Sequence, residues 1–522
     1  MSQLFVATCV ALVLVSWQGV VSATPLEVET RTEQQVLIST SNASVSFDVS
    51  AGARRAMPLD RQLISMSIEF CYAVDFLGTP GSPNVYSKQL LQNIQDKSGV
   101  PPILRIGGNT QDIAKFCENC PEAMNSTFKS GNSEAVNVTY SKGLFEVMNE
   151  NGPSNQKYIF GLNLGQDNVE IPKAELAGAL KYLDQSKLIA YELGNEPDHY
   201  IWPQVNYRSP ATWTMAAYVK QTLDWLPQLA SGKRFQYGSS AADPATVSDF
   251  TMVQAVKWGI SKIKQIKIIS SHAYMGNRCT PTNEALLSLE TYVNHMLTVQ
   301  YFSSYVGEIA AAKSIGATYH MGETNTVACH GKEGLSNTMG ALLWMIDYSF
   351  YLATLGADRL FFHNGKGDFF YSMWEPGALN ESYPAHINPQ YYSMLFTADV
   401  VSNIRNPSIH RVASLDTYDL AHYAIYSGSR LQKMVILNTH FHNGTAKLRP
   451  VKYVDLSPVL GKNIQVKRLT SANTIAKNGT TWGGQYVDGV GKLVGNETWE
   501  GIEGGVVRMY ASEAVIVQRG GK

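Results

Sequence analysis

The sequence predicts an α/β fold: a (β/α)₈ TIM barrel followed by a C-terminal all-β sandwich domain. Three observations predict it. Eight short β-rich apolar runs alternate with segments of helical periodicity between residues 63 and 365. After about residue 404 the helical period fades into short strands between Gly, Asn and Asp turns. No glycine fingerprint opens a helix in the way a doubly wound dinucleotide-binding sheet requires. The expected layout is a barrel over residues 55–403 and a β-sandwich over residues 404–522.

In chain order, residues 1–23 read as a signal peptide. An apolar stretch runs from Leu4 to Trp17, and small residues at Val21 and Ala23 prepare cleavage after Ala23. The stretch is too short for a membrane span. The mature protein is therefore expected to be secreted and extracellular, with no membrane as partner. Asn-x-Ser/Thr sites at Asn42, Asn125, Asn137, Asn380, Asn443, Asn478 and Asn496 fit a secreted glycoprotein. Residues 24–54 contain a strand-like run, "EVETRTEQQVLISTSNASVSFDVS", expected to add a strand to the β domain from across the domain boundary.

The 522 residues carry a net charge of −1 with no Lys/Arg run longer than two, which argues against nucleic acid and against a highly charged polymer as partner. Once Cys9 leaves with the signal, Cys71, Cys117, Cys120, Cys279 and Cys329 remain, an odd set that leaves a thiol unpaired. Cys117 and Cys120 can pair with each other or with distant partners, and Cys279 with Cys329 would clip two loops. No second Cys pair or matching His spacing supports zinc, so the Cys-x-x-Cys spacing reads as structural.

The barrel strands are expected at "LISMSIEF" (63–70), "PPILRIGG" (101–108), "KYIFGLNL" (157–164), "LIAYELG" (188–194), "RFQYGSS" (234–240), "IKIISSHAY" (266–274), "GATYHMGE" (316–323) and "RLFFHNG" (359–365). Helices between them include "SKQLLQNIQDKSG", "PATWTMAAYVKQTLDWL", "TMVQAVKWGISKI" and "SNTMGALLWMIDYSFYLATLG".

In such a barrel the chemistry gathers at the carboxyl ends of the strands, where the βα loops converge. "YELGNEPDHY" sets Glu196 two residues past the fourth strand, and "GETNT" sets Glu323 at the end of the seventh. Strands 4 and 7 face each other across the mouth. Two carboxylates so held suit glycoside hydrolysis, one protonating the leaving oxygen while the other attacks or orients water. Other strand ends offer Glu69, Arg105, Gly107, Gly108, Asn109, His272 and Tyr274. An Arg or Tyr beside a carboxylate favours its ionised form, and glycines let backbone N–H groups approach a ligand. Each also has a plain structural reading: a buried ion pair for Arg105, a tight turn for the glycines, a satisfied core histidine for His272. "GVGKLVG" (489–495) lacks the features of a phosphate loop, no His-Glu-x-x-His occurs, His320, His330 and His363 lack metal spacing, and no Gly-x-Ser-x-Gly is present. No metal or cofactor is expected.

"LRIGGNTQD", "YELGNEPD", "SSHAY" and "GETN", in this order at the ends of strands 2, 4, 6 and 7, resemble glycoside hydrolase family 79, the β-glucuronidases that include heparanase. The resemblance implies a retaining mechanism with Glu196 as acid/base and Glu323 as nucleophile. It also implies Asn195 at the sugar 2-hydroxyl, Glu69 and the Gly107–Gly108 backbone at ring hydroxyls, and Tyr274 orienting the nucleophile. The glucuronate carboxylate would be held by tyrosine and backbone N–H groups of the late loops, for which Gly365, Gly367, Tyr391 and Tyr392 are the candidates. Such an uncharged grip keeps cations away from Glu196 and implies an acidic pH optimum.

The expected substrate is a carbohydrate bearing terminal β-linked glucuronic acid, with or without a 4-O-methyl group, removed by exo action. Rival readings are an α-L-arabinofuranosidase or β-xylosidase on the same barrel, a heparanase-like endo-β-glucuronidase, and a non-catalytic carbohydrate-binding protein. The last is disfavoured because both glutamates are present.

Overall fold

A computed structural model of the protein describes residues 42–229, 232–246, 248–377, 384–446 and 448–521. The expected signal peptide and the Asn380 sequon lie outside these residues. Eight parallel strands close a barrel in chain order: β1 (Ile64–Glu69), β2 (Leu104–Gly107), β3 (Tyr158–Leu162), β4 (Leu188–Leu193), β5 (Phe235–Ser240), β6 (Ile266–Asn277), β7 (Thr318–Ala328) and β8 (Arg359–Asn364), with β8 pairing back onto β1. β1, β2, β3 and β5 are buried along their whole length. One side of each strand fills the barrel and the other meets helices, which is why these strands read as continuous apolar runs rather than alternating ones.

The helices begin and end on local signals. Asn84 caps the helix Val85–Ser98 by accepting a bond from the Ser87 N–H, and Gly99 closes it at φ 86°. The helix Met339–Leu355 starts at the Thr338 cap, stops at Gly356, and is buried on all sides from Met339 to Ala353. A helix apolar all round needs cover on both faces. The barrel supplies one face and the β domain the other.

Two strands overrun their expected ends. β6 continues past Tyr274 and β7 past Glu323, because beyond the rim they pair only with each other, through Tyr274↔Asn325, Gly276↔Val327 and Asn277↔Ala328. The Cys279–Cys329 disulfide clips the tip of this ribbon. Cys117 and Cys120 pair with each other, and Cys71 is a buried free thiol.

Among the described residues, the C-terminal region is built on two antiparallel-rich sheets and a small hairpin, Tyr486–Val487 with Leu493–Val494. The larger has Leu420–Ser427, Arg430–Asn438 and Glu513–Arg519 at its centre. Along these strands alternate residues part company. Tyr423, Ile425, Val435, Leu437, Ala514 and Ile516 join the barrel's core, while Ala424, Tyr426, Met434, Ile436, Val515 and Val517 pack on Val454, Val507 and Met509 of the smaller sheet. Period-2 alternation with both faces buried explains runs such as "MVIL" and "AVIV". Two segments that precede the barrel in sequence complete these sheets. Asn42–Ser44 pairs in parallel with Val451–Asp455, and Met57–Pro58 pairs with Pro407–Arg411.

Candidate active site

The site is built around Arg105 on β2. Its guanidinium is fully buried and spends its donors on the barrel's own acceptors: Glu192 Oε1 at 2.5 and 2.8 Å, Glu323 Oε2 at 2.7 Å, Ser67 Oγ at 2.8 Å and Asn195 Oδ1 at 2.8 Å. Burial opposes the charge, but the Glu192 and Glu323 carboxylates raise its pKa above the usual arginine value. A rigid planar fork can serve four acceptors in one plane-like array, which an ammonium cannot. Gly107 is required here because a Cβ would lie 2.7 Å from Arg105 Cζ.

Just past β4 the chain turns sharply. Asn195 donates its N–H to Asp112 Oδ2 at 3.0 Å, and Glu196 donates its N–H to Ser239 O at 3.0 Å. Glu196 itself sits at φ 45° and ψ 60°, immediately before Pro197, which opens the short turn Pro197–Ile201. Residues before proline favour extended backbone, and a non-glycine in the left-handed region is strained by on the order of 1–3 kcal/mol. That strain aims the carboxyl group into the barrel mouth. There His272 Nδ1 lies 3.0 Å from Oε1 and His199 Nδ1 lies 2.8 Å from Oε2. Burial alone would push this carboxyl up, yet the charge on His199 and the bonds from both histidines hold it below the usual carboxylate range. In return His199, despite burial that opposes its charge, is pushed up to about 9 by Glu196 and Asp198.

Across the mouth, β7 presents Glu323. A register shift on each side of it, at Ser271/His272 and between Met321 and Thr324, re-aims the strand. Tyr274 donates to Oε1 at 2.8 Å and Arg105 to Oε2. Burial and the nearby Glu323 charge keep the Tyr274 hydroxyl protonated well beyond the usual tyrosine range. His363 on β8 connects Glu323 to Glu69, with Nδ1 3.5 Å from Glu323 Oε2 and Nε2 3.2 Å from Glu69 Oε2. One oxygen each of Glu196 and Glu323 and a ring nitrogen of His272 lie within 4.8 Å of one another. Among the described residues this is the cluster that could gather around a cation. Both oxygens of each glutamate are already engaged by Arg, Tyr or His, an arrangement suited to holding and moving protons.

The structure brings Glu69, Arg105, Asn195, Glu196, His272, Tyr274 and Glu323 together at one rim. It also corrects several expectations. At Gly107 and Gly108 the lack of a Cβ admits side chains of the barrel itself, since a Cβ on Gly108 would strike the Glu69 carboxylate and one on Gly107 the Arg105 guanidinium. Tyr391 and Tyr392 are turned away: Tyr391 donates to Leu90 O, and the Tyr392 hydroxyl accepts from the Val487 N–H. Both sit on the buried face of a turn and helix packed against Val85–Ser98. Gly365 and Gly367 have spent their N–H groups on Ser372 Oγ and Glu375 Oε2. Lys366 is committed to Asp75 at 2.6 Å. The late-loop tyrosine that does stand in the site is Tyr371, whose ring lies 6.2 Å from that of Tyr274 and 6.1 Å from that of His363. Nor is Glu196 free of cations, because His199 is beside it.

Sequence reasoning missed Glu192, Asp112, His199 and Tyr371. Glu192 had a signal: a buried arginine needs a carboxylate, and Glu192 is the one acid inside the run predicted as strand 4. His199 had none, since its contact depends on the left-handed turn at Glu196.

The family model for the glycosyl hydrolase family 79 C-terminal beta domain matches residues 422–516. A β-glucuronidase from Aspergillus niger is 30% identical over 482 residues, spanning 85% of this chain and 86% of that protein. A β-glucuronidase from Neurospora crassa is 29% identical, spanning 82% and 84% respectively. The solved structure of a 4-O-α-L-rhamnosyl-β-D-glucuronidase from Fusarium oxysporum superposes with a TM-score of 0.75 at 22% identity, over 89% of this chain and 97% of that one. At that identity the likeness establishes the shared fold.

Proposed function

Because the chain belongs to glycoside hydrolase family 79, we propose that it is a secreted, retaining exo-β-glucuronidase with Glu196 as acid/base and Glu323 as nucleophile. The observation that carries this reading is the approach of the two carboxylates to within 4.8 Å at the barrel mouth. Double displacement needs carboxyl groups about 5–5.5 Å apart, whereas inversion needs room for a water between them. Arg105 and Tyr274 hold Glu323 as an oriented anion facing the anomeric carbon. Glu196, on the opposite wall, protonates the departing oxygen and then takes a proton from the water that releases the glycosyl–Glu323 ester.

Exo action is favoured by a wall on one side of the mouth. Asn109 Nδ2 donates to Glu134 at 3.0 Å, and Glu134 meets His330 Nε2 at 2.8 Å, bridging the loops after β2 and β7. The side beyond Glu196, where Trp202 is 42% exposed, is open to a departing aglycone. Secretion is supported by the N-terminal apolar stretch and by the exposure of the sequon asparagines 125, 137, 443, 478 and 496. For the glucuronate carboxylate the reading draws on the Tyr371 hydroxyl, whose ring lies beside those of Tyr274 and His363.

Two measurements test the reading. A p-nitrophenyl β-glucuronide should turn over far faster than the matching β-glucoside, β-xyloside or α-L-arabinofuranoside, and NMR should show the β-anomer released first. A faster glucoside or arabinofuranoside would remove the substrate assignment, and initial release of the α-anomer would remove the mechanism. Glu196→Ala should cost about 10²–10⁴-fold on aglycones that need protonation and much less on dinitrophenyl glucuronides. Equal losses on both would displace Glu196 from its role.

A further inference from the structure

Both oxygens of Glu196 are occupied in the free enzyme, yet an acid must turn an O–H toward the glycosidic oxygen. His272 cannot yield: it is wholly buried on β6. His199 can. Its side chain is 22% exposed on the short turn that follows Glu196, and its ring stacks on Trp202 with centroids 3.5 Å apart. Its own N–H donates to Glu196 O at 2.8 Å, so backbone and side chain are tied to the same residue. The other titratable or charged groups facing the pair are Asp198, 3.6 Å from His199 Nε2 and pinned by the Ala241 N–H, His272, and across the mouth Glu323 with its partners Tyr274 and Arg105.

We propose that His199 is a positioning residue that shares a single proton with Glu196 and thereby sets the alkaline limit of turnover. The inference rests on the assignment of Glu196 as acid/base. In the empty site the proton resides on His199 Nδ1, facing Glu196 Oε2. When the aglycone oxygen arrives, the proton passes to Oε2, and the neutral imidazole no longer requires that oxygen as its acceptor. Glu196 then delivers the proton to the leaving oxygen as the C1–O bond breaks and the C1–Glu323 bond forms. In the second half, water attacks C1, the Glu323 ester bond breaks, Glu196 takes the water's proton, and that proton returns to His199. The cycle consumes one water and leaves the pair as it began.

The sign of the pH effect follows. The pair retains its proton until pH rises through the His199 value of about 9, so turnover of poor leaving groups persists through neutral pH instead of failing where a lone carboxylic acid ionises. This replaces the acidic optimum expected from the sequence. In His199→Asn the proton to be lost belongs to Glu196 itself, so the alkaline limb must move to lower pH.

The test is the pH profile of kcat/KM, which reports the free enzyme. For an alkyl β-glucuronide, His199→Asn should lower the alkaline limb by about one pH unit or more, with little change for a dinitrophenyl β-glucuronide. An unmoved limb, or equal shifts on both substrates, overturns the proposal. Should that variant fold poorly, NMR titration of the histidine ring protons in the wild type and in Glu196→Gln decides it. His199 and the buried His295, which is paired with Asp347 and Asp416, should both titrate high in the wild type; a high-titrating histidine should fall in Glu196→Gln, and if none falls the proposal is overturned. If Glu196→Ala hits all leaving groups equally, the acid/base assignment fails. If that variant behaves as expected while the His199→Asn limb stays put, the shared proton alone fails.

Discussion

Glu323→Gln should reduce turnover of every β-glucuronide, whatever its leaving group, on the order of 10⁴- to 10⁶-fold, the range seen when a covalent nucleophile or its essential partner is removed. The substitution keeps the side-chain volume. Its amide oxygen can still accept from Arg105, and its NH₂ can donate to the Tyr274 hydroxyl, so the local hydrogen bonds survive in altered form. What is lost is the negative charge and the lone-pair basicity needed to form the glycosyl ester. Because the loss lies in the first chemical step, an activated aglycone gives no relief, in contrast to Glu196→Ala. The measurement is kcat/KM across an aglycone series. Retention of more than about a tenth of wild-type activity would show that another group attacks C1. Folding should be little changed, and an unaltered thermal midpoint would show that the loss is chemical.

Arg105→Met should damage both stability and activity. Arg105 is fully buried and is shared as counter-ion between two carboxylates, one of them the attacking group. Removing one side of a buried ion pair typically costs about 3–5 kcal/mol, because the charge left behind has lost its compensation. Here Glu192 retains bonds from Gln236 and Ser239, while Glu323 retains Tyr274 and must lean on His363. Without the guanidinium Glu323 is no longer fixed toward the anomeric carbon, so kcat/KM should fall along with the stability. Arg105→Lys should recover part of the stability and little of the activity, since one ammonium cannot span Ser67, Glu192, Asn195 and Glu323. Denaturant melts and kcat/KM of both variants check this. If Arg105→Met were as stable as the wild type, the pair with Glu192 would be of no structural consequence.

The barrel was legible because its strands are buried on both sides and so announce themselves as uninterrupted apolar runs, each followed by polar loops and a helical period. The meeting of Glu196 and Glu323 was legible for a topological reason: strands 4 and 7 oppose each other, and any side chain at their carboxyl ends points into one space. What lay beyond reach depends on single dihedrals. Whether β7 stops at Glu323 or runs on to Ala328 is decided by a pairing with β6 outside the barrel, to which the stretch Thr-Asn-Thr gives no local clue. Tyr391 and Tyr392 are candidates only through the family resemblance, and they open a helix whose register turns them toward Leu90 and Val487. Tyr371 follows Gly365 and Gly367 in the same late loop, but no sequence pattern sets it apart from the aromatic residues around it.

The two short strands at Asn42–Ser44 and Met57–Pro58 have a consequence for anyone wishing to cut this molecule. In sequence the β domain looks like a detachable tail beginning near residue 404. In space it is sewn on by a thread that starts inside it, leaves to wind the barrel, and comes back. A fragment beginning at 404 would expose the main-chain groups of Val451–Asp455 and Pro407–Arg411 that these two strands cover, and bare sheet edges recruit one another. Chimeras that exchange the tail alone among relatives inherit the same fault. The unit that can be swapped is defined by both ends of the chain, so grafts should carry residues 42–58 with the tail they complete.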